Sequence, residues 1–379
     1  MSEIKVNSIK GVGASTAAIT VNNTDGTCTA NITNNLSNRN KLINGGMTVS
    51  QRNGTSTVTT TTYNIDRWQT MVDGTIGAYN FSQSTDSPNG FANSYKVDVT
   101  TADTSLASTD AHIFRQKIEG QNLQDFAKGT SAAKQFALSF YIKTNKTGTY
   151  IAELLDDDNN RTCSKTYTVS DSNWNRYTLT FPADTSGALS NDNGASLNVH
   201  FWLSAGSSFS GGSLASTWES KTDANRTVGM NVNLADSTSN EWFITGVQLE
   251  VGSVATDFEH RSFGQELALC QRYYYVTDPT ADNFCGGGGL FMFDAGQTSV
   301  SYGSLTFAQT MRAAPTVVLR DNEGNKDGKV TQHGIAHDIA ATATNINENG
   351  FSKVNKTSGN FGTSAGNPII CGCTADAEL

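Results

Sequence analysis

Residues 197–204 read LNVHFWLS, and the phase of this stretch decides the fold. Leu197, Val199, Phe201 and Leu203 recur at every second position, the repeat that sends alternate side chains of a β-strand to opposite faces. His200 and Trp202 then belong to the face turned away from the apolar one. The same period runs through residues 136–143, FALSFYIK, where Phe136, Leu138, Phe140 and Ile142 alternate with Ala137, Ser139, Tyr141 and Lys143. Tyr177, Leu179 and Phe181 repeat it, as do the shorter runs Tyr79 with Phe81 and Tyr95, Val97 and Val99. Turn-rich segments such as DSPNG and LLDDDNNR separate these runs, so the pattern predicts a two-sheet antiparallel sandwich.

Residues 242–251, WFITGVQLEV, close the series with a change of phase. Trp242 and Ile244 hold one phase and Val247, Leu249 and Val251 the other, so a β-bulge is predicted at Thr245 and Gly246. Glu250 would then point away from the core, as a solvated edge residue rather than a buried acid. The following HRSFGQELALCQRYYYV places Ser262 and Gln265 at N-cap and N3 spacing, and Phe263, Leu267, Cys270 and Tyr274 on one stripe. A helix of about three turns is predicted, packed between domains or subunits.

Residues 1–40 are rich in Asn and Thr, with too few apolar residues for a core of their own; this arm is expected to rest on a partner. Residues 41–260 carry the sandwich and residues 261–276 the linking helix. Residues 277–379 return to strand patterns between Gly and Asn turns and predict a second, smaller β domain. The fold class is therefore mainly β. A chain of 379 residues is long enough for two or three such units.

Composition narrows the function. Only 16% of residues are charged, and 26 basic against 35 acidic residues give a net charge of −9, which disfavours nucleic acid as a partner. No apolar run reaches the roughly 18 residues of a membrane span, and the first residues lack a signal peptide's apolar core, so a soluble chain not exported by that route is expected. Six scattered cysteines do not form the framework of a small secreted domain. Cys371 and Cys373 share one face of a strand without a second pair at ligand spacing, and are read as buried apolar side chains. His333 and His337 have helical spacing in a region of strands and turns and are read as surface residues. The GTSAG of residues 362–366 lacks the strand before and helix after that a nucleophile elbow needs.

The stretches NKLINGGMTVSQRN, YNIDRWQ, WFITGVQLEVGSVATDFEHRSFGQELALCQRYYYV, MRAAPTVVLRDNEG and the terminal TADAEL resemble tail-fibre or appendage proteins of tailed bacteriophages. The central region is similar in layout to jelly-roll carbohydrate-binding modules, with an L-x-N-G-x-M strand opening it and a QLE strand closing it. The resemblance implies a homotrimer, an N-terminal arm attached to other virion proteins of the tail or capsid, and β domains presented to host surface polysaccharide. It implies a virion location and host adsorption as the function. Asp257 stands where the pattern after VAT calls for proline, which loosens the turn into the helix.

A sandwich that binds sugar needs aromatic faces to stack on a pyranose and polar groups to meet its hydroxyls. Trp202 and His200 are the candidates on LNVHFWLS, joined by Tyr141 if the two strands share a sheet. Trp218, in a Ser- and Gly-rich loop, either pins that loop or closes over a ligand. The competing reading has this loop, or a neighbouring subunit, cover Trp202. Trp68 and Trp242 are read as core anchors and Trp174 as a contact at the head of a strand. The acidic run from Asp156 to Arg161 offers oxygens for a structural calcium, with Asp156 and Asp158 as candidate ligands; an acidic hairpin tip has the same composition. No carboxylate pair stands out for glycoside cleavage, so no catalytic residue is assigned and a non-enzymatic chain is expected. A structural adaptor or decoration protein and a polysaccharide depolymerase are the alternatives.

Overall fold

The computed structural model describes residues 7–10, 12, 19–21, 24, 28–30, 38–59, 62–277, 289–292, 300–321, 328–332, 336–358 and 369–379. His333 and the GTSAG segment lie outside the described residues. In the N-terminal arm, β1 (Ser8–Ile9), β2 (Ile19–Val21) and β3 (Cys28–Ala30) form a small antiparallel sheet.

The next strands are β4 (Tyr63–Ile65), β5 (Trp68–Asp73), β6 (Ala78–Ser84), β7 (Ser94–Thr101), β8 (Ala111–Glu119), β9 (Phe136–Thr144), β10 (Gly148–Asp156), β11 (Arg161–Val169), β12 (Asn175–Phe181), β13 (Ala195–Ala205), β14 (Glu219–Ser220) and β15 (Glu241–Val251). They form a seven-stranded sheet in the order β14-β11-β10-β13-β8-β5-β4 and a five-stranded sheet in the order β12-β9-β15-β7-β6. The chain crosses between the two layers again and again, which gives the jelly-roll sandwich. The runs of period two quoted above lie in this body, and their apolar phase fills the space between the sheets, except that Val251, placed inward with Val247 and Leu249, is exposed at the end of β15. Phe114 of β8 ties the layers together, stacking on Tyr95 of β7 at 4.6 Å and on Trp68 at 4.9 Å between centroids. Trp68 Nε1 donates to the Asn44 carbonyl at 3.0 Å, so this anchor buries no unmet polar group. Each such side chain contributes roughly 1.5–3 kcal/mol by leaving water.

The predicted bulge is present: pairing of β15 with β9 shifts register between Thr245 and Gln248. Gly246 takes φ +61°, and a Cβ there would lie 2.7 Å from the Phe91 ring and 2.9 Å from that of Tyr141. The residue must be glycine for two separate reasons, conformation and space. Two expectations for this region are corrected. The L-x-N-G-x-M segment is not a strand but an irregular run beside β15, with Lys41 N donating to Leu249 O and Val247 N to Gly45 O. Glu250 is only 3% exposed, because residues 252–259 fold back as a strap over the sheet; Thr256 of the strap donates to its carboxylate through N at 2.8 Å and through Oγ1, and Gln248 Nε2 of β15 donates as well.

Helix α1 (Phe263–Gln271) begins with the predicted capping box between Ser262 and Gln265. It is shorter than the apolar stripe suggested. Tyr274 belongs to the next strand, and Phe263, in the first turn, is 61% exposed. Cys270 and Tyr273 pack with Ile43 and Val49 of the sandwich.

The remaining strands are β16 (Tyr274–Val276), β17 (Gly289–Met292), β18 (Val300–Thr306), β19 (Thr316–Arg320), β20 (Lys329–Gln332), β21 (Ala336–Asn347), β22 (Gly350–Lys356) and β23 (Ile369–Asp376). They curl into one sheet around β23, which pairs with β16, β17, β19 and β20. His337 lies on β21. Cys371 and Cys373 are fully buried in this second core, where burial pushes the Cys373 thiol up to about 12. No helix among the described residues is long and apolar enough to cross a membrane.

Candidate functional site

The outer face of the seven-stranded sheet holds two of the residues that the sequence put forward, His200 and Trp202. Asn198, His200, Trp202 and Ser204 alternate with the inward set of β13 and all are buried. Residues 206–230 cover His200 and Trp202, while Ser204 bonds Asn233 and the Leu234 amide. Phe209 lies 5.1 Å from the Trp202 ring, and Leu214 and Met230 pack beside it. Under this cover Glu153 of β10 organises a polar cluster. Arg226 donates to both of its oxygens, Nε to Oε1 at 2.8 Å and one terminal nitrogen to Oε2 at 2.9 Å. Trp202 Nε1 and Thr162 Oγ1 donate at 2.9 and 2.6 Å. His200 Nδ1 lies 3.1 Å from Oε2, and the Arg226 guanidinium stands 4.8 Å from the Trp202 ring.

Burial alone would raise the Glu153 carboxyl, but the charge and hydrogen bonds of Arg226, with that of His200, outweigh it and hold the group well below the usual carboxylate range. Burial lowers His200, against the opposing pull of the neighbouring Glu153 carboxylate. A charged pair so enclosed, with its oxygens filled by donors, anchors the covering segment to the sheet. Trp202 and His200 present nothing to solvent.

Tyr141 does not join them, because β9 belongs to the five-stranded sheet and β13 to the other. Trp218 lies against Phe136 at 6.1 Å and donates Nε1 to the Pro182 carbonyl at 2.9 Å, which pins its loop. Asp156 and Asp158 do not converge. Asp158 accepts from Ser190 N at 2.8 Å, whereas Asp156 turns inward to the Lys128 ammonium. That ammonium also meets Asp184 at 3.0 Å and the carbonyls of Gly187 and Ser186 at 2.9 and 3.2 Å, so a lysine sits among these oxygens. No group of three or more His, Cys, Asp or Glu suited to a metal occurs among the described residues.

The outer face of the five-stranded sheet offers a different arrangement. Phe243 of β15, paired with Lys96 of β7 and Lys143 of β9, points outward. Trp174, just before β12, leans over it with ring centroids 6.2 Å apart at 65°. Asp86 fixes the wall: it accepts from Trp174 Nε1 at 2.9 Å and from Lys143 Nζ at 2.6 Å. The hydrogen bond from Lys143 is the main reason the Asp86 carboxyl sits below its ordinary value. Lys96 pairs with Glu241, and both ammonium groups stand 5.5–5.6 Å from the Phe243 ring. Phe243, Trp174, Lys143 and Glu241, with Thr144, Asn145, Ser172 and Asn173, line an open pocket of about 370 Å³. Phe243 itself is only 5% exposed, so it backs the wall, and the half-buried indole of Trp174 is the aromatic surface left to a ligand, beside a rim of hydroxyl, amide and paired charges of the kind a sugar ring requires.

Sequence reasoning missed this pocket. SDSNWNRY carries no alternation that would place Trp174, but Phe243 stood in the outward phase between Trp242 and Ile244, where an apolar ring has no core to fill.

No protein family and no curated protein matches the chain. Among solved structures it is similar to the enzymatically active domain of tailspike protein 4 of bacteriophage CBA120, at 16% identity and TM-score 0.31, over 56% of this chain and 21% of that one. It thus spans about a fifth of that tailspike. TmCBM61 in complex with β-1,4-galactotriose matches at 11% identity and TM-score 0.28, over 56% of this chain and 99% of that one. A family 11 carbohydrate-binding module of a Clostridium thermocellum cellulosomal cellulase matches at 12% identity and TM-score 0.28, over 53% and 97% of the two chains. At these values the likenesses carry nothing about function, and the sandwich rests on its own strand order and register.

Proposed function

We propose that the protein is a non-enzymatic appendage of a tailed-phage virion that adsorbs to host surface glycans through the outer face of its five-stranded sheet. The pocket of Trp174 and Phe243 carries this reading. The phage assignment rests on the sequence resemblance. The carboxylates at the pocket, Asp86 and Glu241, are each held by a lysine, which suits fixed hydrogen-bond acceptors better than an acid and base pair poised for cleavage. In a homotrimer anchored by its N-terminal arm, weak sites act together, because every contact after the first is intramolecular. The exposed Phe263 and Val254 are the surface we assign to packing against another copy or another virion protein.

Adsorption of the purified protein to intact bacteria, before and after periodate oxidation of their surface glycans, tests the reading. Adsorption that periodate abolishes and Trp174→Ala weakens about tenfold supports it, since loss of one stacking contact of ~1.4 kcal/mol gives that factor. Adsorption indifferent to periodate points to the adaptor, and release of reducing ends points to a depolymerase.

A further inference from the structure

On the proposed reading of this pocket, the structure also limits what can enter it. The outer face of the five-stranded sheet is not an open platform. The strap of residues 252–259 closes one half: Gln248 exchanges hydrogen bonds with it, donating to Asp257 O at 3.2 Å and accepting from Glu259 N at 2.8 Å, and Arg176 donates to Thr256 O. Ser139 and Gln248, which point outward on β9 and β15, are consequently buried. The middle is closed by Phe91, whose ring meets Tyr141 at 5.3 Å and Phe258 at 5.0 Å. Along β9 the covered stretch from Ala137 to Tyr141 spans about 14 Å, a length over which an extended glycan would have to lie. The end beyond Lys143 stays open, as does the edge strand β12, where Arg176, Thr178 and Thr180 are exposed.

Charge adds a second limit. Lys143 and Lys96 are engaged by Asp86 and Glu241, and Asp98 stands 3.8 Å from Lys96. Around the pocket Asp86, Asp98 and Glu241 thus outnumber Lys96 and Lys143, and the chain as a whole is acidic at −9. A sugar carboxylate would meet like charge.

We infer that the pocket binds the neutral terminal unit of a glycan rather than an internal stretch of chain, because Phe91 and the strap block the path along β9 and β15, the central strands of this face. The sugar ring lies against the half-buried Trp174, which Phe243 backs, and the rest of the glycan leaves toward solvent.

Calorimetric titration of the full chain tests this. The probes are methyl glycosides of glucose, galactose, mannose and N-acetylglucosamine, their β-1,4-linked oligomers of two to six units, and the corresponding uronic acids. The expected result is that a neutral methyl glycoside binds, its oligomers bind within about threefold of it, and uronic acids bind at least about tenfold more weakly. Trp174→Ala should lose about tenfold while Trp174→Phe keeps most of the affinity, which separates stacking from folding. Phe91→Ala combined with Phe258→Ala should uncover Tyr141 and make affinity rise with chain length. Affinity that already rises about tenfold or more between two and six units in the unaltered protein, or tighter binding of uronic acids, overturns the inference and leaves the glycan reading standing, provided Trp174→Ala still weakens binding. Absence of binding by every probe, or indifference to Trp174→Ala, overturns both.

Discussion

Arg67, at the turn between the first two strands of the sandwich, and Glu378, near the end of the chain, form an ion pair in which neither side chain is more than 4% exposed. Arg67 also donates to Lys117 O at 2.7 Å and lies 3.4 Å from the centre of the Tyr273 ring. Arg52 stands beside it, paired with Asp376 and Glu378 and 3.8 Å from the Tyr274 ring. Through these contacts the strand that organises the smaller sheet is locked to the sandwich. Glu378→Ala leaves two guanidinium groups short of a partner in a buried joint and should cost about 3–5 kcal/mol, read as a lowered thermal midpoint. Replacing the pair together, Arg67→Met with Glu378→Leu, should cost less than the single change.

Gly246→Ala should destabilise the sandwich by roughly 1–3 kcal/mol in urea unfolding, since it combines a positive φ with contacts too short for a methyl group. A value below a few tenths would mean that Phe91 and Tyr141 move aside freely.

His112 gives a pH dependence. Its ring lies in the core 4.4 Å from that of Tyr79, neither nitrogen has a hydrogen-bond partner, and burial pushes its pKa down to about 3. The folded state thus prefers the neutral ring, while the unfolded chain takes up a proton below about pH 6.5. Stability is fully present above that value and is lost as pH falls toward 3, by about 2 kcal/mol at pH 5 for this residue. Burial lowers His200 as well, so the intact protein shows both contributions. His112→Leu should flatten the slope between pH 7 and 5 by His112's share, measured as urea midpoints across that range.

Lys128→Met keeps most of the stem but removes the ammonium held by Asp156, Asp184 and two carbonyls. A loss of about 3–5 kcal/mol is expected, because both carboxylates lose their buried partner. Equilibrium unfolding checks it.

The parts of this molecule that were legible in sequence are those governed by short-range periodicity. Phe201 and Leu138 point inward because a strand repeats every two residues, the bulge at Gly246 shows as a slipped phase, and Ser262 with Gln265 spells out a helix start. What sequence did not show depends on residues far apart along the chain. Trp202 is buried because Arg226, brought back 73 positions to Glu153, holds a loop without any periodicity over it. Tyr141 and Trp202 carry similar outward phases, but sheet membership is set by how strands cross between layers. Glu250 alternates like an edge residue and is nonetheless buried by a strap whose fold-back has no local signature.

Hydrogen–deuterium exchange of the intact protein with and without periodate-sensitive envelope polysaccharide tests the central claim most directly. Slower exchange confined to residues 141–145, 172–176 and 241–245, with residues 206–230 unchanged, is the predicted result. Protection over residues 206–230 with none at Trp174 and Phe243 would contradict it.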